Sequence, residues 1–339
     1  MFEKITSLAD TYFAYAMRFF TFPINPANRL FVVYLLSSLA IVYWLYRKQK
    51  SETSFKSFVF PKSVWSQPSA WLDVRYFFFH GLIGHFLVHI LVVGAFISGL
   101  SFTISLEELE ALRDPETVKP AYRLSLAIVS LIVFTVLADF IIFILHYLQH
   151  KVPILWQFHK VHHSGEVMHP MSNFREHPVD NLTYGVIYKF VSGAIWGVFL
   201  GFIGFTPTSV PIMGITIFSL AFNLVGYQLR HSHIWLRWPG NWSKVFPSPA
   251  HHHVHHSRHP EHLDKNFAFL FPVWDVLFKT YEMPADNRDV EFGIVEDASE
   301  LNSCVNLYLI PFRDAYRVIK NDLKPKNPVI AQSEQQPLG

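Results

Sequence analysis

The chain has 339 residues, 51% of them hydrophobic and 17% aromatic, with 16% charged and a net charge of +2. That charged fraction lies well below the roughly 25% of soluble domains, and the net charge says nothing useful about nucleic acid. A single cysteine, Cys304, leaves neither a disulfide framework nor a thiolate metal site.

The opening stretch "MFEKITSLADTYFAYAMRFF" lacks a compact apolar core with a small-residue cleavage site, so it is not read as a signal peptide. Apolar runs then follow at 29–46, 76–102 and 124–145, each near or above the roughly 20 residues that cross a bilayer. Two more, 182–205 and 209–229, are joined by the turn "TPT" and predict a hairpin. The chain reads as an integral membrane protein. Arg47, Lys48, Lys50, Lys56 and Lys62 after the first run mark a cytoplasmic segment, and the mainly acidic "LEELEALRDPETVKP" after the second marks the opposite side. Counting spans from there delivers all the main histidine groups to the cytoplasmic face.

Those groups carry the chemistry. "HYLQH" at the end of the third run contributes His146 and His150, and "HKVHH" contributes His159, His162 and His163. "HSH" after the hairpin contributes His231 and His233, and "HHVHH" contributes His252, His255 and His256. On a helix, positions i, i+3 and i+4 share a face, so H-x-x-H-H is expected to aim three imidazoles one way. A random histidine tract has no reason to repeat that spacing about 90 residues apart. Setting His233 aside, nine ligands exceed the four of a usual zinc site and suit two metals with open positions. Imidazole alone does not choose among iron, zinc, copper and nickel.

Other histidines have plainer readings. His85 and His89, with His80 nearby, lie inside the second run without a triad, which favours packing or hydrogen bonding. His251 and His253 point away from the inward face of their box. His259 and His262 fall in a polar loop, His169 has no partner at helical spacing, and His177 before Pro178 suits a turn. Trp235, Trp238 and Trp242 suit an interfacial belt. Leu301, Val305, Leu309, Phe312, Tyr316 and Ile319 predict an amphipathic helix lying against the membrane or the catalytic segment.

From residue 125 to about 285 the pattern resembles the fatty acid hydroxylase/sterol desaturase superfamily of membrane di-iron oxygenases. The resemblance rests on "HYLQH", "HKVHHS", "NFREHP", "HSHI", "SPAHHHVHHS" and "DKNFAFLFPVWDVLFKTY", with Tyr147 standing where relatives commonly carry arginine. It implies an all-α fold: polytopic membrane helices with a cytosolic helical cap holding a histidine-rich dimetal site. The implied ligands are His146, His150, His159, His162, His163, His231, His252, His255 and His256. His233 is an alternative or support for His231, and His177 a further candidate. The implied cofactors are two iron ions, with O2 as co-substrate and electrons from an external redox protein and its reductase. Asp139, seven residues before His146 and on the same helix face, is the first candidate to orient an imidazole, or else a satisfied polar group near the interface; Asp264 and Asn173 follow. The implied organisation is N-terminal spans and loop over 1–121, a catalytic segment over 122–285, an amphipathic helix over 286–322 and a disordered tail over 323–339. The implied reaction is hydroxylation or desaturation of a membrane lipid. Competing readings are a divalent-metal transporter, whose ligands belong near the bilayer midplane, and a membrane zinc hydrolase, for which no H-E-x-x-H is present. Membrane haem ligation would need histidine pairs on paired spans.

Overall fold

The computed structural model describes residues 28–105, 120–203, 220–284 and 290–320, with isolated residues between 12 and 25 and between 107 and 111. Among these the chain is helical, with no β-strand and one isolated bridge, Ser257 to Phe292. The longer helices are α1 (Val32–Gln49), α2 (Pro68–Thr103), α3 (Pro120–Lys151), α4 (Pro153–His163) and α5 (Lys189–Ile203). Three further helices complete the frame: α6 (Pro249–His255), α7 (Val273–Phe278) and α8 (Cys304–Ile319).

Local chemistry sets the boundaries. Pro153 disfavours helical geometry at Val152, so α3 ends at Lys151 and α4 restarts with proline in its first turn, where the missing N–H costs nothing. Ser248 caps α6 in a reciprocal box with His251, whose Nδ1 lies 3.0 Å from the Ser248 amide and 2.8 Å from its Oγ. Ser303 caps α8 by accepting the Asn306 amide at 3.2 Å.

Among the described residues, two helical stretches are long and apolar enough to cross a membrane, Leu124–Lys151 and Pro178–Gly201. They coincide with the third expected span and the first arm of the expected hairpin. The runs at 29–46 and 76–102 are largely helical in α1 and α2, while most of the second arm, 209–229, and the tail 323–339 lie outside the described residues, as do the side chains of His85 and His89.

The chain forms two compact units. One comprises Met1–Ile41, Leu82–Ile141 and Asn181–Gln228; the other comprises Val42–Gly81, Ile142–Asp180 and Leu229–Gly339. In the first, a Cβ on Gly99 would collide with the Phe190 carbonyl and one on Gly197 with the Thr103 hydroxyl, so small residues permit close helix approach. Thr103 Oγ1 adds a hydrogen bond to the Ala194 carbonyl at 3.1 Å.

In the second unit, α8 packs along α4. Leu72, Tyr76, Trp156, Val161, Ile294, Leu301, Leu307 and Ile310 form its apolar core. A buried ion pair crosses the same contact, Lys160 Nζ donating to Asp314 Oδ2 at 2.7 Å. The inward face of α8 is therefore Leu307, Ile310, Asp314 and Ala315, while Val305, Leu309, Phe312, Tyr316 and Ile319 are exposed. Of the apolar line visible in the sequence, Leu301 is buried in the core and the five members within α8 face outward. The inner face is apolar apart from Asp314, which pairs with Lys160.

Candidate metal centre

All nine histidines named as ligands from sequence meet in the second unit, in two groups. His146, His150, His159, His163 and His255 form one, and His162, His231, His252 and His256 the other; within each, the ligand nitrogens lie within 4.8 Å of one another. The expectation that each H-x-x-H-H box aims its three rings together is corrected here. His159 and His163 join the first group and His162 the second; His252 and His256 join the second group and His255 the first. Helical geometry explains the split. At about 100° per residue, i and i+4 stand some 40° apart, whereas i+3 falls about 60° to the other side. Each triad therefore bridges two centres.

The imidazoles are held from behind. His146 Nδ1 donates to the Phe267 carbonyl at 2.9 Å, His255 Nδ1 to the Lys265 carbonyl at 2.8 Å and His162 Nδ1 to the Arg175 carbonyl at 3.2 Å. Ser172 Oγ meets His231 Nδ1 at 2.9 Å. Asp180 Oδ2 lies 3.3 Å from His159 Nδ1, and Asp264 Oδ1 3.4 Å from His150 Nδ1. A carbonyl only accepts, so in His146, His162 and His255 the proton sits on Nδ1 and Nε2 carries the lone pair.

The segment "DKNFAFLFPVWDVLFKTY" supplies three of these partners, Asp264 and the Lys265 and Phe267 carbonyls. Asp264 and Asn266 adopt left-handed backbone, with φ of 60° and 57°, a conformation their short polar side chains tolerate. Asn266 Nδ2 donates to the Glu282 carbonyl at 2.9 Å, and its Oδ1 accepts the Glu282 amide at 2.8 Å. Asp275 accepts the amides of Phe267 at 2.9 Å and Ala268 at 2.8 Å. The loop thus turns the Lys265 and Phe267 carbonyls toward His255 and His146. Tyr147 packs on Phe143, Phe267 and Phe278, which closes the same wall with aromatic rings.

A second frame backs the four-histidine group. Asp73 is 1% exposed and accepts from Arg175 Nε at 2.5 Å and from His169 Nε2 at 3.0 Å. Arg175 also donates to Ser164 Oγ at 3.1 Å, and its carbonyl receives His162. Ser172, which meets His231, donates to the His169 carbonyl at 2.8 Å. Asp73, Asp180, Ser172 and the backbone acceptors were not legible as site residues; "NFREHP" marked only the neighbourhood.

The donor set fits a metal. The Nε2 atoms of His163 and His256, one in each group, are buried without a hydrogen-bond partner, a cost that a Lewis acid would remove. His231 and His252 bring their Nε2 atoms to 2.9 Å, close to the roughly 3 Å between neighbouring nitrogens on a metal with bonds of about 2.1 Å. Burial first, and neighbouring imidazoles second, push the pKa values of His163, His252 and His256 well below the ordinary histidine value. They stay neutral and able to ligate.

The remaining candidates stand elsewhere. His177 Nε2 donates to the Tyr308 carbonyl at 3.0 Å and its Nδ1 accepts the Val179 amide at 3.1 Å, so it fixes a turn. His233 Nε2 donates to the Phe58 carbonyl at 2.8 Å. Neither belongs to a ligand group. Asp139 is buried; Asp180 and Asp264 are carboxylates that lie beside candidate ligand imidazoles. Asn173 is buried near Ser172 in the chain, but Ser172 makes the ring contact. His80 stacks on Tyr76 and meets the Tyr308 hydroxyl at 2.6 Å, a packing and hydrogen-bonding role.

Burial also holds His177 and His253 down at about 4 and His251 at about 3. Below the ordinary imidazole value of about 6.5, the unfolded chain takes up protons there that the folded chain refuses. Stability is therefore expected to fall as pH drops from about 6.5 toward about 4. Thermal unfolding in detergent should give a lower Tm at pH 5 than at pH 7, and a Tm that is flat or rises on acidification would contradict this.

Residues 131–280 match the fatty acid hydroxylase family. The chain is 29% identical over 156 residues to human alkylglycerol monooxygenase, covering 46% of this chain and 31% of that protein. It is 28% identical over 162 residues to the ornithine lipid hydroxylase OlsE of Rhizobium tropici, covering 47% and 44%. It is 27% identical over 167 residues to the Delta(7)-sterol 5(6)-desaturase of Aspergillus fumigatus, covering 48% and 51%. The chain thus spans between 31% and 51% of the length of these relatives. No solved structure matches.

Proposed function

We propose, from the premise that this chain belongs through residues 131–280 to the fatty acid hydroxylase/sterol desaturase superfamily, that it is a membrane-bound di-iron oxygenase acting on a lipid. The observation that carries this reading is the convergence of nine imidazoles into a group of five and a group of four. Five would hold one iron and four the other. Iron held there supplies, with O2 and two electrons, the oxidising power that an unactivated C–H bond demands.

The rest is done by the protein. The carbonyls of Phe267, Lys265 and Arg175 fix ring orientation and tautomer. Buried apolar side chains such as Trp156, Val161 and Phe267 limit water at the site. The two apolar helices Leu124–Lys151 and Pro178–Gly201 suit a protein whose substrate is dissolved in a bilayer. The exposed apolar line on α8, flanked by Arg313, Arg317 and Lys320, suits a helix resting at the membrane surface. In this reading the metal centre faces the cytoplasm, and electrons arrive from a separate redox protein, because the sequence has no C-x-x-C-H, cysteine cluster or G-x-G-x-x-G. Candidate substrates follow the relatives' names: an ether lipid such as an alkylglycerol, an amino lipid or a sterol.

Comparative lipidomics of cells with and without the gene tests the reading. A lipid one oxygen heavier, or two hydrogens lighter, should appear only with the intact protein and disappear in His162→Ala. An unchanged lipid profile, with product-independent zinc transport into proteoliposomes, would favour the transporter reading instead.

A further inference from the structure

Beside the five-histidine group lies a partly enclosed cavity of about 30 Å³ lined by His150, His163, His255, Asp264 and Glu296, large enough for water by the usual threshold of about 10–15 Å³. Glu296 is anchored on one side only. Its Oε1 accepts from Trp156 Nε1 at 2.9 Å, while its Oε2 is buried and has no hydrogen-bond partner. Nothing in the ligand scheme uses this carboxylate, and it belongs to neither histidine group. Its chain neighbour Val295 is 47% exposed, so the cavity lies just beneath the surface.

Resting on the oxygenase reading, we infer that Glu296 and this cavity form the inlet that passes protons from solvent to the five-histidine centre. The demand is set by stoichiometry. Inserting one atom of O2 into a C–H bond and reducing the other to water consumes two electrons and two protons. Forming a double bond reduces both atoms to water, and again takes two electrons and two protons from outside. Either outcome needs a proton route, with the electrons supplied by the external redox protein.

The ligands themselves are poor carriers. His146 and His255 commit their Nδ1 protons to backbone carbonyls, and giving up such a proton would undo the orientation of the ring. Asp264, the other carboxylate at the cavity, is engaged by Lys151 at 2.9 Å and lies 3.4 Å from His150. That leaves Glu296, held in place by Trp156, with its second oxygen buried and unpartnered in a residue that lines the cavity. The groups facing it there are His150, His163, His255 and Asp264.

Purified iron-loaded protein, reduced with dithionite and mixed with oxygenated buffer, tests this. Iron content, the rate of reoxidation and its solvent deuterium isotope effect are read for wild type, Glu296→Gln and Glu296→Ala. Glutamine keeps an acceptor for Trp156 but carries no proton; it should leave iron content unchanged and slow reoxidation by about a hundredfold. Added acetate should restore much of the rate in Glu296→Ala and none in Glu296→Gln, whose side chain still fills the place. Wild-type rate and isotope effect in Glu296→Gln would overturn the inference. So would loss of iron from both variants, which would make Glu296 a structural prop. Failure of the oxygenase reading would look different: wild type itself would retain little iron or consume no O2 once reduced.

Discussion

His255→Ala and His256→Ala are expected to strip different metals from the same protein, although the two residues are adjacent. His255 belongs to the five-histidine group and His256 to the four-histidine group. Each substitution should remove about one of two metal equivalents, with turnover falling to background in both. The loss in affinity should exceed the roughly 10–100-fold that follows from losing only an orienting partner. The four-histidine group should suffer more, because it has fewer donors to share the loss. Metal analysis of each variant, alone and combined, checks this. If His255→Ala and His256→Ala emptied the same site, the division of the third box would be wrong.

Asp73→Ala should be the most damaging substitution outside the ligands. It strands the buried Arg175 guanidinium and removes the partner of His169. Breaking a buried ion pair from one side costs about 3–5 kcal/mol. The milder Asp73→Asn keeps hydrogen-bonding capacity, and its effect should reach the metal selectively. Arg175 presents the carbonyl that receives His162, and His169 presents the one that receives Ser172 behind His231. Asp73→Asn is expected to weaken metal at the four-histidine group by about 10–100-fold while leaving the five-histidine group filled. Metal titration of the two sites, with unfolding as a control, distinguishes this from general destabilisation. Equal weakening of both groups would remove Asp73 from its positioning role.

The sequence made the candidate ligands visible because their chemistry and their spacing coincide. Imidazoles at i, i+3 and i+4 are rare by accident; two such triads and one i, i+4 pair name eight of the rings, and the resemblance adds His231. What it concealed was their partition, since a helical face is broad enough for two neighbouring centres to draw on it. The groups behind the rings were harder still. Phe267, Lys265 and Arg175 act through backbone carbonyls that any residue could supply; the left-handed turn at Asp264 and Asn266 directs the first two, and the Asp73–Arg175 pair holds the third. Asp73 lies 102 residues from Arg175, with no periodicity to link them. On α8 the apolar line of larger side chains faces outward, while smaller apolar residues and the Asp314–Lys160 pair fill the buried face. Apolar composition located the long helices, whereas buried ion pairs and main-chain acceptors became apparent only in three dimensions.

The most direct measurement is metal analysis combined with iron-edge X-ray absorption on protein purified in detergent without chelators. Two irons per chain, surrounded mainly by imidazole nitrogen, are the expected result. A chain that stays folded yet holds no transition metal, or binds a single ion with the second group of histidines vacant, would contradict a paired centre.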